Sequence, residues 1–326
     1  MAVFVAFFLF LGYGFDRFYV GDGDFVFPFG TFAALGVGGV SAFSSYYSGD
    51  RAVLLSTGAI PIERALGALA AAANSPDASA SLVPEDDALK LRQLDNVVEE
   101  MSIAAGLPKP KVYIIPDSDP NAFATGRDAE HASIAVTRGL LDTVTREELQ
   151  GVVAHELSHV RNLDIRLMTV TAAMVGAIAL ISDWTSRGLW QGSSGGGSRR
   201  GRSKDKNGAA IVLLVIWIVA ILLAPLVGQM LAMLVSRRRE YLADASGAEL
   251  TRNPLALARA LEKIDQAHAP THSIKRGTAH LCIADPLGKV IGLRQGGVAD
   301  LLASHPPMAN RITALRQMGF LELGHE

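Results

Sequence analysis

Four long stretches of the chain carry no charged residue, and they restrict the fold more than any other feature. They run Met1–Phe15, Phe25–Gly49, Leu167–Ser182 and Gly208–Ser236. Each helical residue adds about 1.5 Å, so crossing a hydrocarbon core of about 30 Å takes about 20 apolar residues. The second and fourth stretches are long enough. The third would reach only about 24 Å at that rise, and spans only if its flanks snorkel or the bilayer thins. The first is short too. It lacks the basic start and small-residue cleavage site of a secretory signal, so it reads as a short membrane span rather than a leader.

Composition agrees with a membrane protein. Of 326 residues, 49% are hydrophobic and 19% charged, which is too apolar for an ordinary soluble domain. The formal net charge of −2 offers no general attraction for polyanions and argues against nucleic acid as a partner. The single cysteine, Cys282, allows neither an intrachain disulfide nor a cysteine-rich metal site, and fits a reducing compartment.

Between the second and third stretches, Asp50–Arg166 has globular character. A helix is expected after Pro84, with Glu85, Asp86 and Asp87 in its first turn. Leu91, Leu94, Val97, Val98 and Met101 repeat at helical spacing, and Gly106 and Pro108 end it. Lys111–Pro116 and Ala132–Thr137 read as strands, with Asn121–Gly126 in the loop between them. Thr145 followed by Glu148 is a capping-box pattern, so a helix starts there. Its continuation, Val152–Leu180, reads as one unbroken helix running into the third uncharged stretch. Further helices are expected over Pro254–Ala267 and Pro307–Met318. The loop 183–208 is Gly/Ser-rich and basic. The expected organisation is an N-terminal membrane hairpin (1–49), a first globular part (50–166), a second hairpin containing that loop (167–236) and a second globular part (237–326).

The helix that starts at Thr145 carries His155-Glu156-Leu157-Ser158-His159. Residues four apart share a helix face, so the two imidazoles can hold one tetrahedral Zn²⁺, with Glu156 beside them to take a proton. A catalytic site needs a third protein ligand and an open position. The longer motif with a third histidine on the same segment is excluded, because Asn162 and Ile165 stand where it needs Gly and His. Candidates for the third ligand are Asp164, Glu240, Asp244, Glu249 and the other histidines. On a continuous helix Asp164, five residues past His159, makes a poor angular match. Glu240 and Asp244 are four apart on a helical segment after the fourth stretch. That suits Glu240 as a ligand and Asp244 as the acceptor of a histidine N–H.

These residues resemble those of the HtpX-type membrane zinc metalloproteases, relatives of the prenyl (CAAX) endoproteases. The resemblance rests on residues 106–126, the AHELSH run at 154–159, and residues 236–248, 278–287 and 304–312, and covers nearly the whole chain. It implies a mainly helical α+β, multi-pass membrane protein with a zincin-like (gluzincin) catalytic domain. His155, His159 and Glu240 would bind one Zn²⁺ per subunit. Glu156 would be the general base and acid, and Asp244 would support a ligand. Asn121, Phe123 and Ala124 would belong to an edge strand to which a substrate peptide adds. His305 and Arg311 would lie near the cleft, where one of them could stabilise an oxyanion. The implied function is hydrolysis of membrane or misfolded proteins in quality control and stress. The first uncharged stretch is shorter than the family pattern.

Orientation follows from charge. The loop Asp16–Asp24 has three acids and one arginine, reads as external and puts the domain after Asp50 in the cytoplasm of the cell (inner) membrane. The basic loop 183–208 votes the other way, and the earlier hairpin is given precedence. Two rival readings remain. One is a zinc-stabilised, non-catalytic scaffold or chaperone-like protein, which would have no use for Glu156. The other is a prenyl-protein endoprotease, for which four spans are few.

Overall fold

The computed structural model describes residues 2–16, 28–73, 85–170, 238–267, 281–284 and 306–323. These fall into two compact units, one within Met1–Ser48 and Ala173–Leu231, the other within Gly49–Ala172 and Ala232–Glu326.

In the first unit, α1 (Ala2–Phe15) is followed by the N-terminal part of α2 (Phe29–Ser56). The Asp16 carboxylate caps α2. It accepts from the Gly30 N–H (2.6 Å) and from the Thr31 N–H and hydroxyl (both 2.7 Å). Close approach of the two helices needs Gly12, where a Cβ would stand 2.5 Å from the Gly30 carbonyl oxygen. The end of the uncharged stretch at Gly49 is not a helix end, because α2 continues over Asp50 and Arg51 to Ser56. Among the described residues, no helix is long and apolar enough to cross a membrane. In α2 the reason is composition, since glycines and serines interrupt its phenylalanines. The expected second hairpin lies almost wholly outside the described residues.

The second unit is built on a four-stranded sheet. In chain order come β1 (Ile60–Pro61), α3 (Ile62–Ala73), α4 (Glu85–Ala105), β2 (Lys111–Ile115), β3 (Ala122–Thr125), β4 (Ser133–Thr137), α5 (Arg138–Thr143) and α6 (Arg146–Arg161). A helical segment over 164–170 (α7) and another over 238–251 (α8) precede α9 (Pro254–Gln266) and α10 (Met308–Leu323). The strand order is β1-β2-β4-β3, with β2 and β4 parallel and both outer pairings antiparallel.

The sheet has two buried faces. Val112, Ile114, Ala122, Ala124, Ile134 and Val136 point to the main core, which α4, α6 and α9 fill. Ile115, Phe123 and Ala135 point the other way, against Val53, Leu54, Leu281 and Cys282. The apolar stripe expected on α4 is the buried one, and Gly106 ends that helix with φ +66°.

Two readings of the local pattern need correction. Residues 122–125, which that pattern put in a loop and the family resemblance in an edge strand, form a strand. Ala-Phe-Ala-Thr has little strand preference of its own, and pairing with β4 imposes the conformation. The segment from Val152 is not one continuous helix. It stops at Arg161; Asn162 caps it, Leu163 sits in the left-handed region (φ +59°), and the chain restarts as α7. The start of α6 is as expected, since both halves of the Thr145–Glu148 capping box form, at 2.8 and 3.3 Å. Lys263 of α9 then reaches Glu148 Oε2 at 2.7 Å, tying the two helices together.

Candidate metal centre

The α6 helix sets His155 and His159 side by side, ring centroids 4.9 Å apart and planes at 89°. The α8 helix crosses α6 at Gly247. A Cβ there would lie 3.0 Å from the His155 backbone nitrogen, so a glycine permits the approach. Glu240, Asp244 and Gly247 are spaced four and three apart, on one face of α8. Close contact at Gly247 therefore brings Glu240 in as well. Its Oε1 lies 3.6 Å from His159 Nε2 and its Oε2 3.7 Å from His155 Nε2. Ligands bonded at about 2.1 Å around a tetrahedral ion stand about 3.4 Å apart. The three side chains, all buried and with ligand atoms within 4.8 Å of one another, therefore fit a zinc ion.

Each imidazole has a carboxylate behind it. His159 Nδ1 is 3.1 Å from Asp164 Oδ2, and Arg239 holds the other oxygen of Asp164 at 2.5 Å. Burial works against protonating His159, but the Asp164 hydrogen bond and the nearby Glu240 and Glu156 charges outweigh it, and its pKa is raised. The break at Asn162–Leu163 puts Asp164 there. The angular objection to it assumed a helix that does not exist, and its place is behind a ligand rather than among the ligands.

His155 Nδ1 lies 3.0 Å from Asp244 Oδ1, off the ideal line of its N–H. Asp244 is gripped by Arg311, Nε to Oδ2 at 2.8 Å and Nη2 to Oδ1 at 2.7 Å. Burial alone would raise the Asp244 pKa, but the Arg311 charge and hydrogen bonds hold it down to about 2. Arg311 Nη1 also stands 3.3 Å from Glu240 Oε2 and donates to the Ile283 carbonyl at 2.9 Å. The guanidinium is fully buried and engaged on every side. It lies against the ligands and holds the Ile283 backbone, with no exposed surface in this arrangement.

Glu156 differs from all of these. Neither carboxylate oxygen has a well-formed hydrogen bond among the described residues. Burial pushes its pKa up, helped by the Glu240 charge and opposed by the two histidines and the Ala124 backbone amide.

The expected substrate strand divides. Asn121 turns its side chain to Ala122 and Ala284. Phe123 directs its backbone to β4 and its ring to the far-face core, so it presents neither to a substrate. Ala124 directs its N–H and C=O to the outer edge. His305 lies outside the described residues. Sequence reasoning missed the part played by Asp164, and by Arg239 and Gly247. Asn-Leu-Asp at 162–164 was the available signal, a residue that ends a helix followed by one that starts the next.

The profile of Peptidase family M48 matches residues 88–319. The chain belongs to that family. It is 48% identical over 225 residues to a protein named "Protease HtpX homolog" from Thermoanaerobacter pseudethanolicus, covering 69% of this chain and 71% of that one. A protein of the same name from Caldanaerobacter subterraneus subsp. tengcongensis is 48% identical over 240 residues, covering 74% and 76%. Among solved structures, "Crystal Structure of S. mikatae Ste24p" aligns with 96% of this chain and 62% of that one, at 20% identity and a TM-score of 0.46, too loose a likeness to carry weight. As a member of M48 the chain is a metallopeptidase, and its substrates are proteins.

Proposed function

We propose that the protein is a membrane-bound, zinc-dependent endopeptidase of the quality-control kind, with His155, His159 and Glu240 as ligands and Glu156 as general base and acid. The observation that carries this reading is the contrast within α6: two histidines backed by carboxylates flank a glutamate whose carboxylate makes no well-formed hydrogen bond among the described residues. A bound Zn²⁺ supplies Lewis acidity and lowers the pKa of a water to about 7. Glu156 accepts the proton on its open carboxylate and returns it to the departing amine. Asp164 and Asp244 hold the imidazoles in orientation. The outer edge of β3, at Ala122 and Ala124, receives an extended peptide as an added strand. The hairpins 1–49 and 167–236 anchor the catalytic parts 50–166 and 237–326 at the cytoplasmic face of the cell membrane. Membrane proteins that fail to fold are the natural substrates there.

The test is Glu156→Gln in the full chain. It should still bind one zinc, while cleavage of an unfolded polypeptide drops by about 10³-fold or more. Cleavage at the wild-type rate would refute the assignment. Comparing membrane proteomes of cells making the wild type or Glu156→Gln then identifies substrates by their accumulation.

A further inference from the structure

The outer edge of β3 already has a partner. In the antiparallel pairing with β4, the Thr137 N–H donates to the Asn121 carbonyl and the Asn121 N–H to the Thr137 hydroxyl, so the N–H and C=O of Ala122 and Ala124 point away from the sheet. The Ala122 carbonyl accepts the Ile283 N–H at 2.9 Å. Its N–H is turned back onto Asn121 Oδ1 at 3.1 Å. The Asn121 amide meets the backbone of Ala284, donating to its carbonyl at 3.1 Å and accepting from its N–H at 3.5 Å. A side-chain amide here imitates one more residue pair of a sheet. On the other side of the segment, Arg311 holds the Ile283 carbonyl at 2.9 Å. Leu281–Ala284 thus takes one of the backbone contacts that an incoming peptide needs, the Ala122 carbonyl. It is buried, as are Ala122, Ala124, Glu156 and all three metal ligands, none of them more than 5% exposed. An incoming peptide cannot donate to the Ala122 carbonyl along the sheet edge while the Ile283 N–H holds it.

We propose that Leu281–Ala284 is an autoinhibitory strap, standing where substrate stands on β3 and leaving when a peptide takes its place. The proposal rests on the peptidase reading above. The exchange conserves the hydrogen bond on the Ala122 carbonyl, because a substrate N–H replaces that of Ile283 there, while the Asn121 and Arg311 contacts to the strap are given up. Only a chain segment free to become an extended strand can make the replacement. The strap is therefore a filter that admits unfolded polypeptide and excludes folded surfaces. It also gives Asn121 a role different from substrate contact, as the latch of the strap.

Cys282 lies in the middle of the strap, is 1% exposed and is the only cysteine of the chain, so its thiol reports on release. The experiment uses the full zinc-loaded chain carrying Glu156→Gln. The rate of maleimide labelling at Cys282 is measured with and without saturating carboxymethylated α-lactalbumin, an unfolded probe with blocked thiols. Labelling should speed up by about tenfold or more as the probe shifts the strap to its open state. Unchanged or slower labelling, while the wild type cleaves the same probe, would overturn the strap and leave the peptidase reading standing. If the zinc-loaded wild type cleaves nothing, the peptidase reading falls and the strap with it. Asn121→Ala gives an independent check. Unlatching should raise both labelling without probe and kcat/KM by about threefold or more. A fall in kcat/KM with unchanged labelling would make Asn121 a substrate contact and overturn the strap.

Discussion

The liganding groups and Glu156 occupy the same buried pocket and are built in opposite ways. Asp164 stands behind His159, Asp244 behind His155, and Arg239 and Arg311 behind those two carboxylates. Among the described residues Glu156 has no such side-chain support. A group that must hold an ion in one geometry gains from a chain of partners, each fixing the next. A group that must accept a proton and give it away cannot be committed to one partner. The difference separates positioning from chemistry within a single turn of helix.

Mutations can break that comparison. The largest effect should come from Asp164→Asn, which weakens the support of His159. Zinc affinity, measured by competition with a chelator, should fall about 10- to 100-fold, whereas Glu156→Gln should leave it within about threefold. Equal losses would erase the distinction between supported and unsupported groups. Next is Gly247→Ala, which pushes α8 off α6 through a Cβ set 3.0 Å from the His155 nitrogen. Overpacking of this kind costs about 1–3 kcal/mol, and zinc should be held more weakly because Glu240 rides on α8. Thermal unfolding with unchanged zinc affinity would show that Glu240 does not depend on the crossing.

The smallest effect sharpens the contrast from outside the pocket. Thr145→Ala removes half of the capping box at the far end of α6. It should cost about 1 kcal/mol of stability with zinc affinity intact. A loss of affinity would mean that the ligand spacing depends on the whole helix. Its partner Glu148 adds a pH signature. Burial favours the protonated form, but the Lys263 and Thr145 hydrogen bonds prevail, and the pKa is lowered. A lowered pKa contributes stability that is present above the ordinary carboxylate value and is lost as pH falls through the folded one. Glu148→Gln should therefore flatten the acid side of the stability curve, read as thermal midpoints across a pH series, and an unaltered slope would remove Glu148 from that role.

Much of this was legible in the sequence because it depends on short-range rules. The stripe on α4, the capping box and the shared face of His155 and His159 follow from helical periodicity. So does the pairing of Glu240 with Asp244. What escaped depends on a single residue's backbone or on distant pairing. Leu163 adopts a left-handed conformation that its side chain does not announce, and so the break in the helix and the true place of Asp164 went unread. Residues 122–125 become a strand only because β4 lies beside them. Arg311 has Asp244 as its partner 67 positions away in the chain, a pairing that no local pattern encodes.

The turn at Asn162–Leu163 has a mechanical consequence. It is a joint between the rod that carries both imidazoles and the segment beyond it. The spacing of His155 and His159 is internal to α6, whereas the 3.1 Å contact of Asp164 with His159 is made across the joint. Ile165 in the core and Thr169 bonded to Gly126 fix the far side. The orientation of one ligand thus depends on how the chain is anchored after the turn, and the separation of the two imidazoles does not.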